Sequence, residues 1–216
     1  MISFRNDYSE GAHPKVLEAL VATNYLSTAG YGEDEFCEKA QQTVRSRFAC
    51  ENADVHFLVG GTQTNFTAIS AFLRPWEAAV GADTAHIAVH ETGAVEARGH
   101  KVLTVPGENG KVTPKSLRRV CLAHREGNLG HMVLPKLLYL SDATELGTIY
   151  TKEELMALKE VCREFGLYLY LDGARLGAAL TASPNDLTPE DLPKLCDAFY
   201  IGGPKNGLLF GDVWSL

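Results

Sequence analysis

The sequence lacks the features that mark membrane, secreted and nucleic-acid-binding proteins. No apolar run approaches the roughly 20 residues that a membrane helix needs, so we expect no membrane span. The first residues include no apolar signal region, which favours a cytoplasmic protein. Acidic residues outnumber basic residues by 27 to 20, and the resulting net charge of −7 argues against nucleic acid as a partner.

Cysteine pairs and metal-binding motifs are missing as well. The 5 cysteines include no Cys-x-x-Cys pair, so we expect reduced thiols rather than a disulfide or zinc framework. His86 and His90 have a spacing that could share a metal on a helix. The zinc-protease pattern His-Glu-x-x-His is absent, however, and no third ligand is evident. The sequence therefore predicts no metal site.

Strand-like and helix-like runs alternate along the chain instead. A hydrophobic content of 45% and a charged content of 22% are typical of a globular domain with one main core. The alternation predicts an α/β fold, a three-layer sandwich with a mainly parallel sheet. The predicted strands cover residues 55–58, 78–82, 101–105, 136–140, 167–171 and 198–201.

Helix start and stop signals divide the chain further. Thr151 and Glu154 form a capping box, and Gly166 supplies the stop of a helix over residues 151–165. Thr-Pro pairs at 113–114 and 188–189 are further start signals. We predict a separate N-terminal helical segment over residues 1–52 and a main domain over residues 53–216.

Polar residues follow the predicted strands at the points where these end. Gly61 and Thr62 follow the first strand, His86 the second, Asp172 the fifth and Lys205 the sixth. Ligands of open parallel sheets bind at the carboxyl ends of the strands, so these residues are predicted to meet at one site.

Lys205 and Asp172 suit one chemistry in particular. A lysine between glycines after a strand can form a Schiff base with pyridoxal phosphate, and an upstream aspartate can keep the pyridine nitrogen protonated. Each residue also has an ordinary interpretation. Lys205 alone would be a surface lysine, and Asp172 could simply cap the turn into Gly173.

Two further motifs fit the same hypothesis. The glycines and threonines of residues 60–65 lie between a strand and a helical run, where backbone N–H groups can bind a phosphate. The alternative is an ordinary strand-to-helix turn with a threonine cap. Arg175 could bind a substrate carboxylate with its planar guanidinium, or be a surface arginine. For His86, a ring stacked on an aromatic cofactor is the better interpretation than a metal ligand.

These residues together resemble a known family. The chain resembles the low-specificity L-threonine aldolases, within the β-eliminating-lyase group of fold-type-I pyridoxal phosphate enzymes. The resemblance implies the large domain of the aspartate-aminotransferase fold. The motifs that carry it are Asn6-Asp7, Tyr31-Gly32, residues 60–65, residues 85–94, Asp172-Gly173-Ala174-Arg175 and residues 202–207.

The resemblance implies a role for each residue around the cofactor, pyridoxal 5′-phosphate. Gly61 and Thr62 would hold its phosphate, and His86 would stack on its ring. Asp172 would pair with the ring nitrogen. Lys205 would form the covalent link.

The implied reaction is the cleavage of L-threonine, or of a related β-hydroxy-α-amino acid, to glycine and an aldehyde. Arg175 would face the substrate carboxylate, with Asn6 near it. His86 or His90 is the candidate base, since neutral imidazole exists near pH 7. The implied partners are a small-molecule amino acid and, in a full-length protein, a second or further copy in a homodimer or homotetramer.

Three departures accompany the resemblance. The family usually has a hydroxyl residue before the lysine, where this chain has Pro204. Many members have serine in place of Asn6. Members also continue past residue 216 into a C-terminal small domain, so we expect that domain to be missing here. The alternatives left open are an inactive truncated fragment, and a β-eliminating lyase or transaminase on the same scaffold.

Overall fold

The computed structural model describes residues 3–125 and 130–215. Within those residues the α-helices are α1 (Pro14–Thr23), α2 (Glu35–Phe48), α3 (Gly61–Phe72), α4 (His86–Val89), α5 (Pro114–Ala123), α6 (Lys152–Phe165), α7 (Leu176–Thr181) and α8 (Leu192–Leu195). The strands are β1 (Val55–Leu58), β2 (Glu77–Ala82), β3 (Lys101–Val105), β4 (Leu134–Ser141), β5 (Tyr168–Asp172), β6 (Ala198–Gly202) and β7 (Asp212–Ser215). Short 3₁₀ turns cover Glu96–Arg98, Pro189–Asp191 and Pro204–Asn206.

The strands form one sheet in the order β1-β7-β6-β5-β4-β2-β3. Neighbours from β6 through β3 are parallel, whereas β7 runs antiparallel to both β1 and β6. The mainly parallel α/β sheet is the predicted fold class. The prediction did not include β7, which fills the position between the first and sixth strands.

Two layers of helices cover the two faces of the sheet. Alternate residues of β5 point to opposite sides, so Leu169 and Leu171 belong to one buried cluster while Tyr170 belongs to the other. The first cluster packs against α5 and α6, and the second packs against α3 through Ala68 and Ile69. This arrangement confirms the three-layer sandwich.

The helix signals of the sequence act largely as predicted. Thr151 and Glu154 exchange the hydrogen bonds of a capping box at the start of α6, and Gly166 ends that helix at φ 66°. Thr113 caps α5 in the same way. The signal at Thr188 instead opens a 3₁₀ turn that leads into the short α8.

The bounds of several elements differ from the prediction. Helix α3 begins at Gly61, ahead of the apolar run from which it was inferred, and Gly60 precedes it without a side-chain cap. The interpretation of this turn as threonine-capped is therefore wrong. Strand β5 begins at Tyr168 and includes Asp172 as its last residue.

The first fifty residues contain α1 and α2, in agreement with their predicted helical character. None of the residues of α1 is buried, although its sequence includes Leu17, Leu20 and Val21. The division of the chain at residue 52 stays a prediction. Among the described residues, no helix has the length and apolar character that a membrane crossing needs.

Candidate active site

A pocket of about 420 Å³ opens at the carboxyl ends of the central strands. Its position follows from the topology, because the parallel strands β2, β4, β5 and β6 all end at this edge of the sheet. The residues that line it are Tyr8, Gly61, Thr62, His86, His90, Ser141, Ala143, Glu145, Asp172, Ala174, Arg175, Tyr200, Gly202, Pro204, Lys205 and Asp212. The structure thus brings together every predicted site residue except Asn6.

Asp172 is held by hydrogen-bond donors from different parts of the chain. Its Oδ2 accepts hydrogen bonds from the Tyr139 hydroxyl at 2.5 Å and from the Asn65 amide at 2.9 Å. Its Oδ1 accepts the Ala174 N–H at 2.9 Å, so Asp172 caps the turn as well as facing the pocket. Hydrogen bonds donated to a buried carboxylate stabilise its ionised form. The site therefore contains a carboxyl group, held by three hydrogen bonds, at the end of β5.

His86 is joined to Asp172 through buried polar residues. Its Nδ1 lies 2.8 Å from Oε1 of Glu91, whose side chain is fully buried. The amide of Asn65 donates to the same Glu91 oxygen at 2.6 Å and also to Asp172. The hydrogen bond to Glu91 raises the pKa of His86 despite an opposing effect of burial. The ring nitrogen Nε2 has no part in the contact with Glu91.

Lys205 occupies the 3₁₀ turn after β6. Its Nζ lies 5.9 Å from the centre of the Tyr8 ring. Burial lowers the pKa of Lys205, and the positive charge of Arg175 lowers it further, while Asp7, Asp172 and Asp212 act in the opposite sense. A lowered pKa increases the share of neutral amine, which is the nucleophilic form.

The first turn of α3 forms the wall of the pocket beside β6. The first N–H groups of a helix have no intrahelical partner, and no side chain within the described ranges caps this one. A Cβ atom on Gly61 would lie 3.0 Å from the Tyr200 hydroxyl, which explains why a glycine fits this position. Unpartnered N–H groups at a helix N-terminus favour anions such as phosphate.

Arg175 pairs with the N-terminal segment. Its Nε donates to Oδ2 of Asp7 at 2.6 Å, and its Nη2 donates to Oδ1 at 3.2 Å. The neighbouring Tyr8 also lines the pocket. Sequence reasoning found Arg175 but missed its partner, because the two residues are far apart in the chain.

Asn6 does not line the pocket. Its Oδ1 accepts the Tyr8 N–H at 3.1 Å and the Ser9 hydroxyl at 2.7 Å, so it shapes the local turn.

Sequence reasoning also missed Tyr139 and Glu91, two buried partners of the site. Asn65 belonged to a recognised motif, but nothing in the motif assigned it a bridging role. No group of three or more potential metal-binding side chains occurs in residues 3–125 and 130–215.

The residues of the pocket fit pyridoxal phosphate. The group carries a ring nitrogen that ionises, an aldehyde that reacts with amines, and a phosphate. The pocket offers a hydrogen-bonded carboxylate in Asp172, an amine of lowered pKa in Lys205, and an uncapped helix N-terminus at Gly61. Each complements one of these three features.

Comparison with known proteins agrees with this geometry. The family model described as β-eliminating lyase matches residues 4–211. The chain belongs to the β-eliminating lyase family. This membership supports pyridoxal phosphate as the cofactor.

Curated relatives carry a more specific name. A low-specificity L-threonine aldolase of Pseudomonas sp. (strain NCIMB 10558) is 33% identical over 216 residues, covering 97% of this chain and 60% of that protein. The yeast Saccharomyces cerevisiae has a protein of the same name that is 29% identical over 216 residues. The chain thus spans about 60% of the length of the Pseudomonas relative.

Solved structures show the same relationship. A threonine aldolase from Leishmania major superimposes with a TM-score of 0.96 and is 48% identical, covering 100% of this chain and 62% of that protein. Cystalysin from Treponema denticola, whose structure contains pyridoxal 5′-phosphate, has a TM-score of 0.71 at 13% identity. At that identity the likeness shows a shared fold only.

Proposed function

We propose that this protein is a pyridoxal phosphate-dependent carbon–carbon lyase that cleaves L-threonine, or related β-hydroxy-α-amino acids, to glycine and an aldehyde. The observation that carries the proposal is that the Asp172 carboxylate and the Lys205 amine line one pocket. Similarity to threonine aldolases over nearly all of the chain supports the substrate class.

Asp172 and Lys205 have complementary roles in this proposal. When bound, pyridoxal phosphate supplies an electron sink for the bond that breaks. The ionised Asp172 pairs with the positive ring nitrogen, and Tyr139 and Asn65 hold the carboxylate in place. Lys205 supplies the neutral amine for covalent attachment, since burial lowers its pKa.

Gly61, Thr62 and His86 provide the remaining contacts with the cofactor in this proposal. Gly61 and Thr62 hold the phosphate at the first turn of α3, where the helix dipole is positive. His86, which also lines the pocket, would stack on the ring. The hydrogen bond between Nδ1 and Glu91 fixes the plane of that imidazole.

Cleavage also needs a base that removes the proton of the substrate hydroxyl. His86 and His90 are the candidates, because both line the pocket. Their ring centres lie 5.4 Å apart. His86 presents Nε2 as the free nitrogen, since Glu91 holds Nδ1. Arg175 binds the substrate carboxylate, and Asn6 acts nearby through the turn that it stabilises.

Three further proposals concern the protein as a whole. We infer a cytoplasmic location, a homodimer or homotetramer when full length, and an N-terminal segment that ends near residue 52. The exposed apolar residues of α1 support association with another copy or domain.

A second candidate is β-elimination or transamination on the same scaffold. The family description favours elimination as the alternative, because the name covers lyases that expel a group from Cβ. Aldol cleavage and elimination would use the same pocket and differ in which bond of the substrate breaks. The products distinguish them, since aldol cleavage of threonine yields glycine and acetaldehyde whereas elimination yields ammonia and a keto acid.

Attachment of the cofactor at Lys205 is the direct test of the proposal. Purified protein mixed with pyridoxal phosphate should gain a visible absorbance band, and borohydride reduction should fix the cofactor on the peptide that contains Lys205. Lys205→Ala should abolish this labelling, whereas Lys15→Ala at an exposed lysine should not. Labelling of another lysine in the wild type would contradict the assignment.

Turnover is the second readout. Wild-type protein should release glycine and acetaldehyde from L-threonine. Asp172→Asn should keep the label at Lys205 but lose most of the turnover, because a neutral amide does not hold the ring nitrogen in its charged form. Equal turnover in the wild type and Asp172→Asn would contradict the role of this carboxylate.

A further inference from the structure

The pocket contains a second buried carboxyl group, that of Asp212, which has no part in the proposed function. Asp212 is the first residue of β7, where it lies opposite Leu58 of β1 and Gly202 of β6. Its relative exposure is only 2%, yet it lines the pocket. A Cβ atom on Gly61 would lie 3.8 Å from its Oδ2. A carboxyl group therefore lies beside the first turn of α3, where the proposed function places a phosphate.

The hydrogen bonds of Asp212 are best satisfied when it carries a proton. The Thr64 hydroxyl lies 3.1 Å from the Gly60 carbonyl oxygen and 3.3 Å from Oδ2 of Asp212. A hydroxyl has a single proton to donate. Both contacts become hydrogen bonds if Thr64 donates to Gly60 and a protonated Asp212 donates to Thr64. The other oxygen, Oδ1, accepts the Gly203 N–H at 3.1 Å in either state.

The neighbouring carboxylate favours the same assignment. Asp172 accepts three hydrogen bonds, from Tyr139, Asn65 and Ala174. When two carboxyl groups share a low-dielectric site, the group with the weaker support for its charge retains the proton. That group is Asp212.

The charges that face Asp212 act on its pKa in both directions. Burial raises the pKa of Asp212, and the charge of Asp172 raises it further, while the Gly203 N–H, the Thr64 hydroxyl and the Lys205 ammonium lower it. Burial also raises the pKa of Tyr200, so its hydroxyl next to Gly61 stays neutral.

We propose that Asp212 is a neutral carboxylic acid in the cofactor-bound protein and that a phosphate binds beside α3 only while this proton is retained. The inference rests on the proposed function, which places the cofactor phosphate at Gly61 and Thr62. An ionised Asp212 would put a negative charge next to the anion, within a pocket that screens charges poorly. The neutral acid removes this repulsion.

The test measures binding rather than turnover. Pyridoxamine 5′-phosphate is the probe, because its amine does not form a covalent link with Lys205. Its dissociation constant would be measured from about pH 4, near the ordinary pKa of an aspartate, to about pH 9 for the wild type and for Asp212→Asn. We expect wild-type affinity to fall with rising pH by at least about tenfold more than that of Asp212→Asn. Pyridoxamine, which has no phosphate, should show no such difference.

Controls separate a local effect from loss of the fold. Asp54→Asn changes an exposed aspartate and should behave as the wild type does. Without ligand, the wild type should lose thermal stability relative to Asp212→Asn as pH rises, because burial raises the pKa of Asp212 and its ionisation is disfavoured in the folded state. This second measurement reports the proton of Asp212 independently of any ligand.

Three results of the binding measurements would contradict the inference. Equal pH dependence of binding in the wild type and a folded Asp212→Asn would overturn the inference while leaving the cofactor site intact. Loss of binding by a folded Asp212→Asn at every pH would also overturn it, since an amide is neutral as well. No binding by the wild type at any pH would overturn the proposed cofactor site, and the inference with it.

Discussion

Arg175, which lines the pocket, forms a two-point ion pair with Asp7. Asp7 accepts from Nε at 2.6 Å and from Nη2 at 3.2 Å. A guanidinium has donors on two edges, and this pair occupies the edge that contains Nε. The edge formed by Nη1 and Nη2 remains for a second carboxylate. If Arg175 binds the substrate carboxylate as proposed, Asp7 would orient the guanidinium for this contact rather than occupy it.

Substitution of Asp7 tests this orientation. Asp7→Asn should raise KM for L-threonine about three- to tenfold with a smaller change in kcat, because a partly exposed ion pair contributes modestly to positioning. Steady-state kinetics of the variant measure both constants. Asp54→Asn is the matched control and should leave both unchanged. A lower KM in Asp7→Asn would show that Asp7 competes with the substrate for Arg175.

The Asp7–Arg175 pair also shows why part of the site is invisible in the sequence. Local patterns predicted Arg175 through its position after a strand, since strand ends leave a signal in neighbouring residues. Its partner lies 168 residues away, and no periodicity connects the two. The same applies to Tyr139, which contacts Asp172 because the sheet pairs β4 with β5. Glu91 lies close to His86 in the chain, but no motif in the sequence assigned it this contact.

In the fold too, elements with local sequence signals could be predicted, whereas an element that depends on distant pairing could not. The first six strands alternate with helices, and the capping boxes at Thr113 and Thr151 mark two of these helices in the sequence, so the order could be predicted. Strand β7 was missed because its four residues include an aspartate at the start and offer little periodicity. What makes it a strand is its pairing with β1 and β6, which are far from each other in the chain. Its position in turn places Asp212 in the pocket.

The contact between His86 and Glu91 makes a prediction about pH. The buried Glu91 raises the pKa of His86, so this imidazole becomes a free base only at a higher pH than an ordinary histidine. Glu91→Gln keeps a hydrogen-bond acceptor but removes the charge, and the pKa of His86 should fall. If His86 is the base, the acid limb of kcat/KM should move to lower pH in this variant.

Two measurements separate the histidines. NMR titration of the His86 ring in the wild type and in Glu91→Gln reports the pKa directly, without turnover. His90→Gln should leave the acid limb in place if His86 is the base. An acid limb that is unchanged in Glu91→Gln but lost in His90→Gln would assign the base to His90.

Gly173 is a position where the fold leaves no room for a side chain. A Cβ atom there would lie 1.9 Å from the carbonyl oxygen of Tyr200, on the neighbouring strand β6. The Gly173 carbonyl also accepts the Gly202 N–H at 2.9 Å, which ties the ends of β5 and β6 together. Gly173→Ala should therefore lower the free energy of unfolding by about 3 kcal/mol.

Chemical denaturation of the variant measures this loss. Gly11→Ala is the matched control, because a Cβ atom at Gly11 would have nothing within 4 Å. The control should change stability by less than about 0.5 kcal/mol. Since Gly173 follows Asp172 directly, Gly173→Ala should also weaken cofactor attachment. A variant with wild-type stability would show that β5 and β6 can separate without cost.

Asp142 links the stability of the folded chain to pH. Its side chain is buried, and its Oδ1 accepts the Tyr150 N–H at 3.3 Å. Burial raises the pKa of Asp142 from 3.8 to about 7, although the Tyr150 N–H and Lys111 act in the opposite direction. The folded state therefore keeps this proton over a pH range in which the unfolded chain has already released it.

The raised pKa of Asp142 determines whether stability rises or falls with pH. Between about pH 4 and about pH 7 the folded state binds more protons than the unfolded state, so the free energy of unfolding falls as pH rises. The contribution of Asp142 is complete at the acid end and lost at the neutral end, with an upper limit of about 4 kcal/mol. Asp142→Asn keeps a neutral side chain of the same shape throughout. The variant should thus lack this part of the pH dependence and be more stable than the wild type at neutral pH.

Urea denaturation at several pH values measures the difference in the free energy of unfolding, with Asp54→Asn as the control that should retain the wild-type slope. Parallel pH profiles for the wild type and Asp142→Asn would show that Asp142 is already ionised in the folded protein.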